Sequence, residues 1–547
     1  MAAIMRESVK DTLENLIEQF SDVYCFYREL IQNSLDAGTN RVDVYLEFIP
    51  DRDREDHGVM VIHVDDYGEG MNRNIIDNQL TRLFSSTKEN DLTKIGKFGI
   101  GFVSVFAIKP DAVNIDTSRD GEDWRILFQN KEEFHRLRRD YPVDGTKIQI
   151  YKTCEKRFFD IFLQRSRETV ILWCKHSEAE IYFQDELVNQ PYDVESFCKI
   201  HRSEPAGEVV AGYTRDKNPF FGFYNQGLTL VEGNKEFFPG ITFKIKSKYL
   251  EHTLTRDNIR EDENYWKAMD LLNRIVQEDL PAMLFSGIQD ELAGNQQETP
   301  EYRKLLGYAG DYLSDGSRLP ARCRDAKIAR TTSGNYMTAG QLMELQREKE
   351  ILYDYRANPV TEALEKNRRR VVLAREDSAL LDLLKKLSSH RDESPRVFRA
   401  SDRYFIPRLV EVKDHSEDHK KILNVVSGLN RRMKNSTEPI RFAHFDYPDS
   451  AIEDRVYVLQ EEPGELSPMS ELEEGKNLFK SFFSLFSRHR SLILNVKNPY
   501  IENLLSLAGV DSELAGYFLA KLLYMDDGID TATDGALVNI SLDRRSL

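Results

Sequence analysis

The order of the segments in the first seventy residues is the feature that most constrains how this chain can fold. The apolar residues of 13–20 recur at helical spacing, and a second helix is predicted from about Cys25 to Ala37. Residues 42–48 alternate apolar and polar side chains, and residues 59–64 form a more continuous apolar strand. Helices followed by two adjacent strands lack the βαβ alternation of a dinucleotide-binding fold, so this order predicts an α/β sandwich.

The length of the chain predicts several domains, because 547 residues exceed what a single hydrophobic core organises. Strand-like and helix-like segments continue to the C-terminus, and no internal repeat is visible. We therefore predict a multidomain α+β protein. Its predicted domains are an N-terminal α/β sandwich over 1–155, two middle α/β regions over 156–290 and 291–410, and a C-terminal α/β domain over 411–547.

The formal net charge of −17 opposes general binding to nucleic acids or anionic membranes, since both need a basic field. No apolar run approaches the length needed to span a bilayer, and the N-terminus lacks the features of a signal peptide. Five cysteines without CxxC spacing favour reduced thiols over disulfides or a zinc site. These features predict a cytoplasmic protein with no nucleic-acid or membrane partner.

Glu29, Asn33 and Asp36 share one face of the second predicted helix, since they are spaced four and three residues apart. A carboxamide oxygen is a hard ligand for Mg2+, and a nearby carboxylate can orient or deprotonate a water. This combination suits magnesium-assisted hydrolysis. Taken alone, polar residues at this spacing are more often a solvated helix face.

Asp66, Gly68 and Gly70 follow directly after the second predicted strand. The glycines let the backbone approach a flat ligand. The aspartate can accept a hydrogen bond from an exocyclic amine such as that of adenine. A simple tight turn is the competing interpretation of this motif.

Two further glycine motifs complete the set. Residues 96–102 have G-x-x-G-x-G spacing, but they follow a long polar loop instead of a first strand, which excludes a dinucleotide-binding motif. Glycines at a helix start still offer backbone N–H groups to phosphates, with the helix dipole behind them. The fourth motif is residues 144–146, a turn that leads into a strand. The hydroxyl of Thr146 could support Asp66, although taken alone this motif is only a turn.

The order and spacing of these four motifs resemble the GHKL (Bergerat) superfamily, which includes DNA gyrase B, heat shock protein 90, sensor histidine kinases and the MutL mismatch-repair proteins. The resemblance implies an α/β sandwich that binds ATP and Mg2+. It implies that Glu29 is the catalytic base, that Asn33 is the Mg2+ ligand and that Asp66 binds the adenine amine. The residues implied for ATP and Mg2+ are Asn33, Asp36, Asp66, Gly70, Met71, Asn78, Gly99, Gly101, Phe102 and Thr146.

The rest of the chain resembles the heat shock protein 90 family within this superfamily. Residues 171–178 are similar to the start of that family's middle domain, and residues 254–259 are similar to its catalytic loop. The resemblance implies that Arg256 reaches the γ-phosphate from another domain. Residues 492–505 and 518–524 are similar to C-terminal segments of the family, and they imply that the apolar helical stretch predicted over 514–524 forms a homodimer interface in the C-terminal domain.

By this resemblance, the protein is expected to be an ATP-dependent molecular chaperone that hydrolyses ATP to drive domain closure on unfolded or partly folded client proteins. Residues 83–87 depart from the family, because the usual phosphate-contacting lysine is absent unless Lys88 or Lys97 substitutes. The chain is also shorter than typical members, with no long charged linker and no acidic C-terminal peptide. A bacterial-type member of the family is therefore expected.

Two alternatives stay open from the sequence. The first is another GHKL ATPase of the DNA-repair or chromatin type, which the acidic net charge disfavours. The second is a nucleotide-switched interaction module with little turnover that serves one dedicated partner. Salt-dependent DNA binding would support the first alternative, and nucleotide binding without turnover would support the second.

Overall fold

The computed structural model divides the chain into two compact units, Met1–Leu280 and Pro281–Leu547. Both units combine helices with sheets, so the predicted mixed α/β, multidomain class is confirmed, while the division into four domains stays a prediction. Among the described residues, no helix is both long and apolar enough to cross a membrane. The residues that the structure describes are 22–54, 56–81, 101–129, 133–205, 207–253, 258–294, 298–314, 319–388, 396–433, 440–472, 491–524 and 531–546.

An eight-stranded sheet forms the centre of the first unit. Its strands are β1 (Arg41–Pro50), β2 (His57–Asp66), β3 (Ala112–Arg119), β4 (Glu122–Phe128), β5 (Phe134–Arg138), β6 (Thr146–Glu155), β7 (Glu180–Phe183) and β8 (Glu186–Leu187). They lie in the order β5-β4-β3-β6-β2-β1-β7-β8. Neighbouring strands are antiparallel, except that β1 and β7 run parallel.

Helices α1 (Cys25–Asp36), α2 (Arg73–Ile75) and α3 (Lys156–Cys174) belong to this unit, with a π-helical turn Ile76–Leu80 and a 3-10 helix Ser104–Ile108. Helices α1 and α3 pack into the apolar core on one face of the sheet. Helix α1 forms because its apolar residues recur every three or four positions. The buried apolar residues of α1 are Phe26, Tyr27, Leu30 and Ile31.

Both strands predicted near the N-terminus are present. Residues 42–48 lie in β1, where burial alternates, and residues 59–64 lie in β2. Strand β2 is flanked by β1 and β6, and it is buried over most of its length. The helix predicted over 13–20 lies outside the described residues.

The central sheet continues beyond the boundary that the sequence predicted after residue 155. Strand β7 follows α3 and pairs in parallel with β1, so that Ile181 faces Val42. Ile181 and Phe183 belong to the same apolar core as the first strands. A parallel strand needs a long crossover to reach its place, and α3 supplies it. The sheet of the predicted first domain therefore extends to Leu187.

A five-stranded sheet follows in the same unit. Its strands are β9 (Lys199–Glu204), β10 (Gly207–Tyr213), β11 (Phe220–Asn225), β12 (Leu228–Asn234) and β13 (Ile241–Lys246). They lie in the order β12-β11-β13-β10-β9. Helix α4 (Glu263–Arg274) and the π-helical turn Ile275–Asp279 come next. Helix α4 begins at Asp262, because the Asp262 carboxylate accepts hydrogen bonds from two backbone N–H groups of the first turn.

A partly buried polar cluster around the buried His176 joins this second sheet to the C-terminal end of α3. The Nζ atom of Lys244 lies 2.9 Å from Nε2 of His176, and Nδ1 of His176 lies 3.1 Å from the carbonyl oxygen of Gln190. Lys175 forms an ion pair with Glu232 at 2.6 Å, with both side chains 15% exposed. A neutral His176 can accept from Lys244 and donate to Gln190. We call these five residues the sheet joint.

The second unit contains a parallel three-stranded sheet and a mixed four-stranded sheet. Its strands are β14 (Lys327–Arg330), β15 (Tyr336–Thr338), β16 (Ile351–Asp354), β17 (Val371–Leu373), β18 (Val397–Arg399), β19 (Tyr404–Phe405), β20 (Arg408–Leu409), β21 (Ile440–His444), β22 (Tyr457–Gln460), β23 (Ser467–Pro468) and β24 (Ser491–Asn495). The larger sheets have the orders β17-β16-β18 and β20-β21-β24-β22, and β14-β15 and β19-β23 form pairs.

The helices of the second unit start at the unit boundary. They are α5 (Leu280–Gly294), α6 (Pro300–Ser314), α7 (Ala339–Leu345), α8 (Pro359–Lys366), α9 (Ala379–Ser388), α10 (Ala400–Arg403), α11 (Glu417–Arg432), α12 (Pro499–Val510), α13 (Ser512–Tyr524) and α14 (Thr531–Arg545). The described part of this unit also contains the 3-10 helices Ala321–Cys323, Val412–Asp414 and Met469–Glu471.

The segments predicted in this second unit are largely present. The strands predicted at 351–353 and 371–374 correspond to β16 and β17, and the helix predicted over 514–524 lies within α13. The helix predicted over 340–350 ends at Leu345 instead. Residues 346–350 carry no apolar side chain that could hold another turn against the core.

The sheet joint predicts that the first unit loses stability in mild acid. Burial lowers the pKa of His176 to about 4, and the nearby Lys244 cation acts in the same direction. As the pH falls from about 6.5 towards 4, the unfolded chain protonates this histidine while the folded chain keeps it neutral. The free energy of unfolding should therefore fall across this window, as measured by urea denaturation at a series of pH values.

The variant His176→Gln is the control for this prediction. A glutamine amide can still accept from Lys244 and donate to Gln190, but it does not titrate. Its free energy of unfolding should vary less with pH between 4 and 6.5 than that of the wild type. Identical pH profiles for the two proteins would contradict the assignment to His176.

Candidate functional site

Asp66 lies at the end of β2, where the neighbouring strands place Val42 and Thr146 opposite it. Its carboxylate is buried and accepts three hydrogen bonds. Oδ1 accepts from the backbone N–H groups of Gly68 at 3.0 Å and of Thr146 at 3.2 Å. Oδ2 accepts from the Ser34 hydroxyl at 3.0 Å. A helix, a turn and a strand therefore converge on one carboxylate.

The electrostatics of Asp66 leave it able to bind one more donor. Burial raises the pKa of the Asp66 carboxyl, and the donors of Gly68, Ser34 and Thr146 lower it in part by stabilising the charge. A carboxylate offers about four acceptor positions, of which these donors use three. The remaining position suits an exocyclic amine, so the residues present fit the adenine of a nucleotide.

Glu29 of α1 packs directly against Gly101. A Cβ atom built on Gly101 would stand 2.6 Å from Oε2 of Glu29, so the carboxylate occupies the space that a larger residue would need. Gly101 is buried, and Glu29 is half-buried. The structure thus brings together the carboxylate of the first motif and a glycine of the third.

The other polar residues of α1 differ in exposure. Asn33 lies one turn after Glu29 and is half-buried, whereas Asp36 is exposed at the last residue of the helix. The Asp36 carboxylate accepts from the amide of Gln32 at 3.0 Å. The single amide oxygen of Asn33 fits Mg2+ in a nucleotide site, because Mg2+ keeps several waters and takes phosphate oxygens as further ligands. The described residues contain no group of three His, Cys, Asp or Glu side chains placed to hold a metal ion.

The turn after β2 brings Gly70 and Met71 against strand β3. Gly70 has a φ of +65°, and a Cβ atom there would lie 2.2 Å from the carbonyl oxygen of Ser118, so only glycine fits. The backbone N–H of Met71 donates to the Thr117 hydroxyl at 2.8 Å. That hydroxyl oxygen lies 3.2 Å from Oγ1 of Thr146. Three predicted site residues therefore surround one threonine.

The remaining predicted residues are placed differently. The Phe102 ring is 2% exposed and packs in the apolar core, so only its backbone can face a ligand. Asn78 is exposed, and its amide donates to Asn74. Among the described residues, no hydrogen bond joins Asn78 to the other predicted site residues. Gly99 and Arg256 lie outside the described residues.

Two contributors to the site were not predicted from the sequence. Ser34 follows Asn33 directly, and its hydroxyl lies within hydrogen-bond distance of both Asp66 and the carbonyl oxygen of Leu30. Its position in the first motif was the signal that could have identified it. Thr117 belongs to no motif, and only the pairing of β3 with β6 places it opposite Thr146.

Comparison with known families defines the class of this domain. Residues 27–159 match the family model of the histidine kinase-, DNA gyrase B-, and HSP90-like ATPases. This range contains Glu29, Asp66, Gly101 and Thr146, and it covers all but the last two strands of the central sheet. The domain is therefore of the GHKL ATPase class, and the predicted resemblance to the heat shock protein 90 family is confirmed.

Individual proteins give the same indication. The chain is 33% identical to the chaperone protein HtpG of Anaplasma phagocytophilum, over 29% of this chain and 29% of that protein. It is 25% identical to the chaperone protein HtpG of Clostridium acetobutylicum, over 41% of this chain and 39% of that protein. It is also 31% identical to human sacsin, over 29% of this chain and 4% of that protein. The chain thus spans well under half the length of the HtpG proteins that it matches.

The geometry around Asp66 predicts opposite effects for two substitutions on stability. In Asp66→Asn, the new amide can keep its oxygen towards Gly68 and Thr146 and donate to Ser34, whose hydroxyl can turn to Leu30. Because burial raises the pKa of Asp66, the ionised form carries a stability cost at pH 7. The free energy of unfolding of this variant should equal or exceed that of the wild type in urea denaturation.

The matched variant is Asp66→Ala, which removes both acceptor oxygens. It leaves the backbone N–H groups of Gly68 and Thr146 without their acceptor, at a cost of about 1–3 kcal/mol. It should therefore unfold more easily than the wild type. Equal losses in both variants would show that the carboxylate charge itself, and not hydrogen bonding, stabilises the site.

Proposed function

We propose that this protein is an ATP-hydrolysing molecular chaperone of the heat shock protein 90 type, which acts in the cytoplasm on unfolded or partly folded client proteins. The observation that carries the proposal is that one helix, α1, holds Glu29 against Gly101 and Ser34 against Asp66. A single rigid element thus fixes the adenine acceptor relative to the proposed base, as positioning for hydrolysis requires.

A further observation supports the proposal. Proteins named chaperone protein HtpG match the chain at 25–33% identity.

In the proposed reaction, a water attacks the γ-phosphate of ATP, and ADP and phosphate are released. Asp66 accepts the hydrogen bond of the adenine amine, and Glu29 orients the water and takes its proton. The backbone N–H groups at Gly101 and Phe102 face the phosphates. Mg2+ held through Asn33 would neutralise phosphate charge.

Arg256 is proposed as a second catalytic residue from the family resemblance alone. The residues that flank it are joined to each other: the N–H of Thr253 donates to the carbonyl oxygen of Asn258 at 2.9 Å, and His252 bridges to Ile259. An arginine from this segment that contacts the γ-phosphate would distinguish ATP from ADP. Closure of this segment on the site would then link hydrolysis to conformation.

We also propose a homodimer through the C-terminal domain. Helix α13 packs inward through Ala515 and Leu519, which are at most 1% exposed. Phe518 on the same helix is 38% exposed, and Val510 at the end of α12 is 89% exposed. Exposed apolar side chains on neighbouring helices are typical of a two-fold interface.

A nucleotide-switched interaction module is the second candidate. Part of this chain also aligns with human sacsin, a protein that does not carry the HtpG name, so this second candidate is tested beside the chaperone. ATP turnover together with suppressed aggregation of several unrelated unfolded proteins would support the chaperone. Nucleotide binding without turnover, and no effect on aggregation, would support the module.

The first test of this function separates nucleotide binding, which is assigned to Asp66, from ATP hydrolysis, which is assigned to Glu29. Asp66→Asn should abolish ADP binding in titration calorimetry, since the adenine amine loses its carboxylate acceptor. Glu29→Ala should bind ADP almost normally, whereas phosphate release from ATP should fall by about 10²–10⁴-fold, as expected for a lost general base. Glu168→Ala, which removes an exposed glutamate of α3, is the control and should match the wild type. Normal turnover in Glu29→Ala would make the catalytic assignment wrong.

A second test concerns Arg256. Arg256→Ala should bind ADP normally and hydrolyse ATP poorly, because only ATP presents a γ-phosphate to the guanidinium. Arg260→Ala is the matched control, since Arg260 lies four residues further on and its side chain is 63% exposed. Steady-state phosphate release and ADP calorimetry on both variants check the prediction. Equal turnover in both would remove Arg256 from the mechanism but leave the nucleotide domain.

A further inference from the structure

We propose that Thr117 is a positioning residue of the nucleotide site: its hydroxyl holds the turn at Gly70 and Met71 against the turn at Gly145 and Thr146. The inference rests on the proposed function, because the two turns flank the carboxylate that is assigned to the adenine amine. Thr117 touches neither the adenine acceptor nor the phosphate end directly in the hydrogen bonds described above. It acts through the backbone of its neighbours.

The contacts of the Thr117 hydroxyl use all of its hydrogen-bonding capacity. A hydroxyl has one donor and two acceptor positions. It accepts from the backbone N–H of Met71 at 2.8 Å, and it lies 3.3 Å from the carbonyl oxygen of Gly145 and 3.2 Å from Oγ1 of Thr146. Donation to Gly145 leaves its second acceptor position for the Thr146 hydroxyl. Thr117 is fully buried, so water cannot replace these partners.

The two turns have little freedom of their own. Gly70 and Gly145 have φ values of +65° and +64°. A Cβ atom on Gly145 would stand 2.3 Å from the backbone oxygen of Asp66, and one on Gly70 would stand 3.1 Å from the Thr117 hydroxyl. The backbone around Asp66 is therefore packed on both sides. The hydrogen bonds of Thr117 tie both turns to one side chain, as those of Asp66 do through Gly68 and Thr146.

The position of Thr117 in the sheet extends this constraint to Asp66. Thr117 pairs with Thr146 across β3 and β6, and Thr146 pairs with Asp66 across β6 and β2. The N–H of Thr146 also donates to the Asp66 carboxylate. A shift of Thr146 after loss of the Thr117 hydroxyl would thus move a donor of Asp66. Glu29 and Gly101 belong to other elements and would keep their contact.

This arrangement predicts a defect in binding without a defect in chemistry. Both ADP and ATP present the same adenine, so loss of the Thr117 hydroxyl should weaken both to the same degree. The proposed base and phosphate end are unaffected. A positioning residue at the adenine end therefore raises KM and leaves kcat nearly unchanged.

The test compares Thr117→Val with the wild type in the full chain. Valine keeps the shape and removes the hydroxyl. The Kd for ADP in titration calorimetry should rise about tenfold, which corresponds to 1.4 kcal/mol. The KM for ATP should rise by a similar factor, with kcat within about twofold of the wild type. Thr117→Ser keeps the hydroxyl and should restore a Kd close to that of the wild type.

Thr229→Val is the matched control. Thr229 is 2% exposed in the same unit, and its hydroxyl donates to the carbonyl oxygen of Leu172 at 2.7 Å, away from the site. It should lower the free energy of unfolding without changing the Kd. If Thr117→Val does not fold, the pair Thr117→Ser and Thr117→Ala isolates the hydroxyl, since both lack the methyl group.

The possible results distinguish a failure of the role proposed for Thr117 from a failure of the proposed nucleotide-binding function. Wild-type protein that does not bind ADP would overturn the proposed function and the inference with it. Wild-type protein that binds ADP, together with an unchanged Kd in Thr117→Val, would overturn the inference alone. The same would follow if Thr229→Val raised the Kd by the same factor, or if Thr117→Val lowered kcat without raising KM.

Discussion

The burial of one carboxylate, that of Asp66, is the constraint on which the nucleotide site depends. A buried charge is costly unless donors surround it. Asp66 has three, and each comes from a different part of the chain: Ser34 of α1, Gly68 of the following turn and Thr146 of β6. The same contacts that stabilise the charge therefore fix a helix, a turn and a strand relative to each other. The arrangement of the site therefore follows from the need of the buried Asp66 carboxylate for hydrogen-bond donors.

The apolar side of α1 decides which polar residues face the site. Phe26, Leu30 and Ile31 are at most 1% exposed, so the rotation of the helix about its axis is set by the core. With 3.6 residues per turn, Glu29 then lies at the edge of the buried side, where it meets Gly101. Asp36, seven residues after Glu29, stands at the end of the helix and is exposed. Core packing thus places the proposed base.

The sequence predicted what is encoded locally and missed what long-range pairing creates. Alternating and continuous apolar patterns identified β1 and β2, and glycine spacing identified the turns around Asp66. Thr117 escaped, because a threonine within a strand carries no signal until β3 and β6 pair. The pairing of β7 with β1, beyond the domain boundary predicted at residue 155, escaped for the same reason, since nothing near Ile181 in the sequence shows it. Helix α7 ends at Leu345, earlier than predicted. The polar residues 346–350 have no apolar side chain that could pack against the core and hold another helical turn.

The register of the central sheet connects the site to the sheet joint. Val42 of β1 faces Asp66 on one side and Ile181 on the other, so one row of residues crosses three strands. Ile181 lies five residues after His176, which holds the second sheet through Lys244. Because His176 is buried, rotating the two sheets apart would expose it or remove its partner at a cost. The buried His176 thus couples the two sheets.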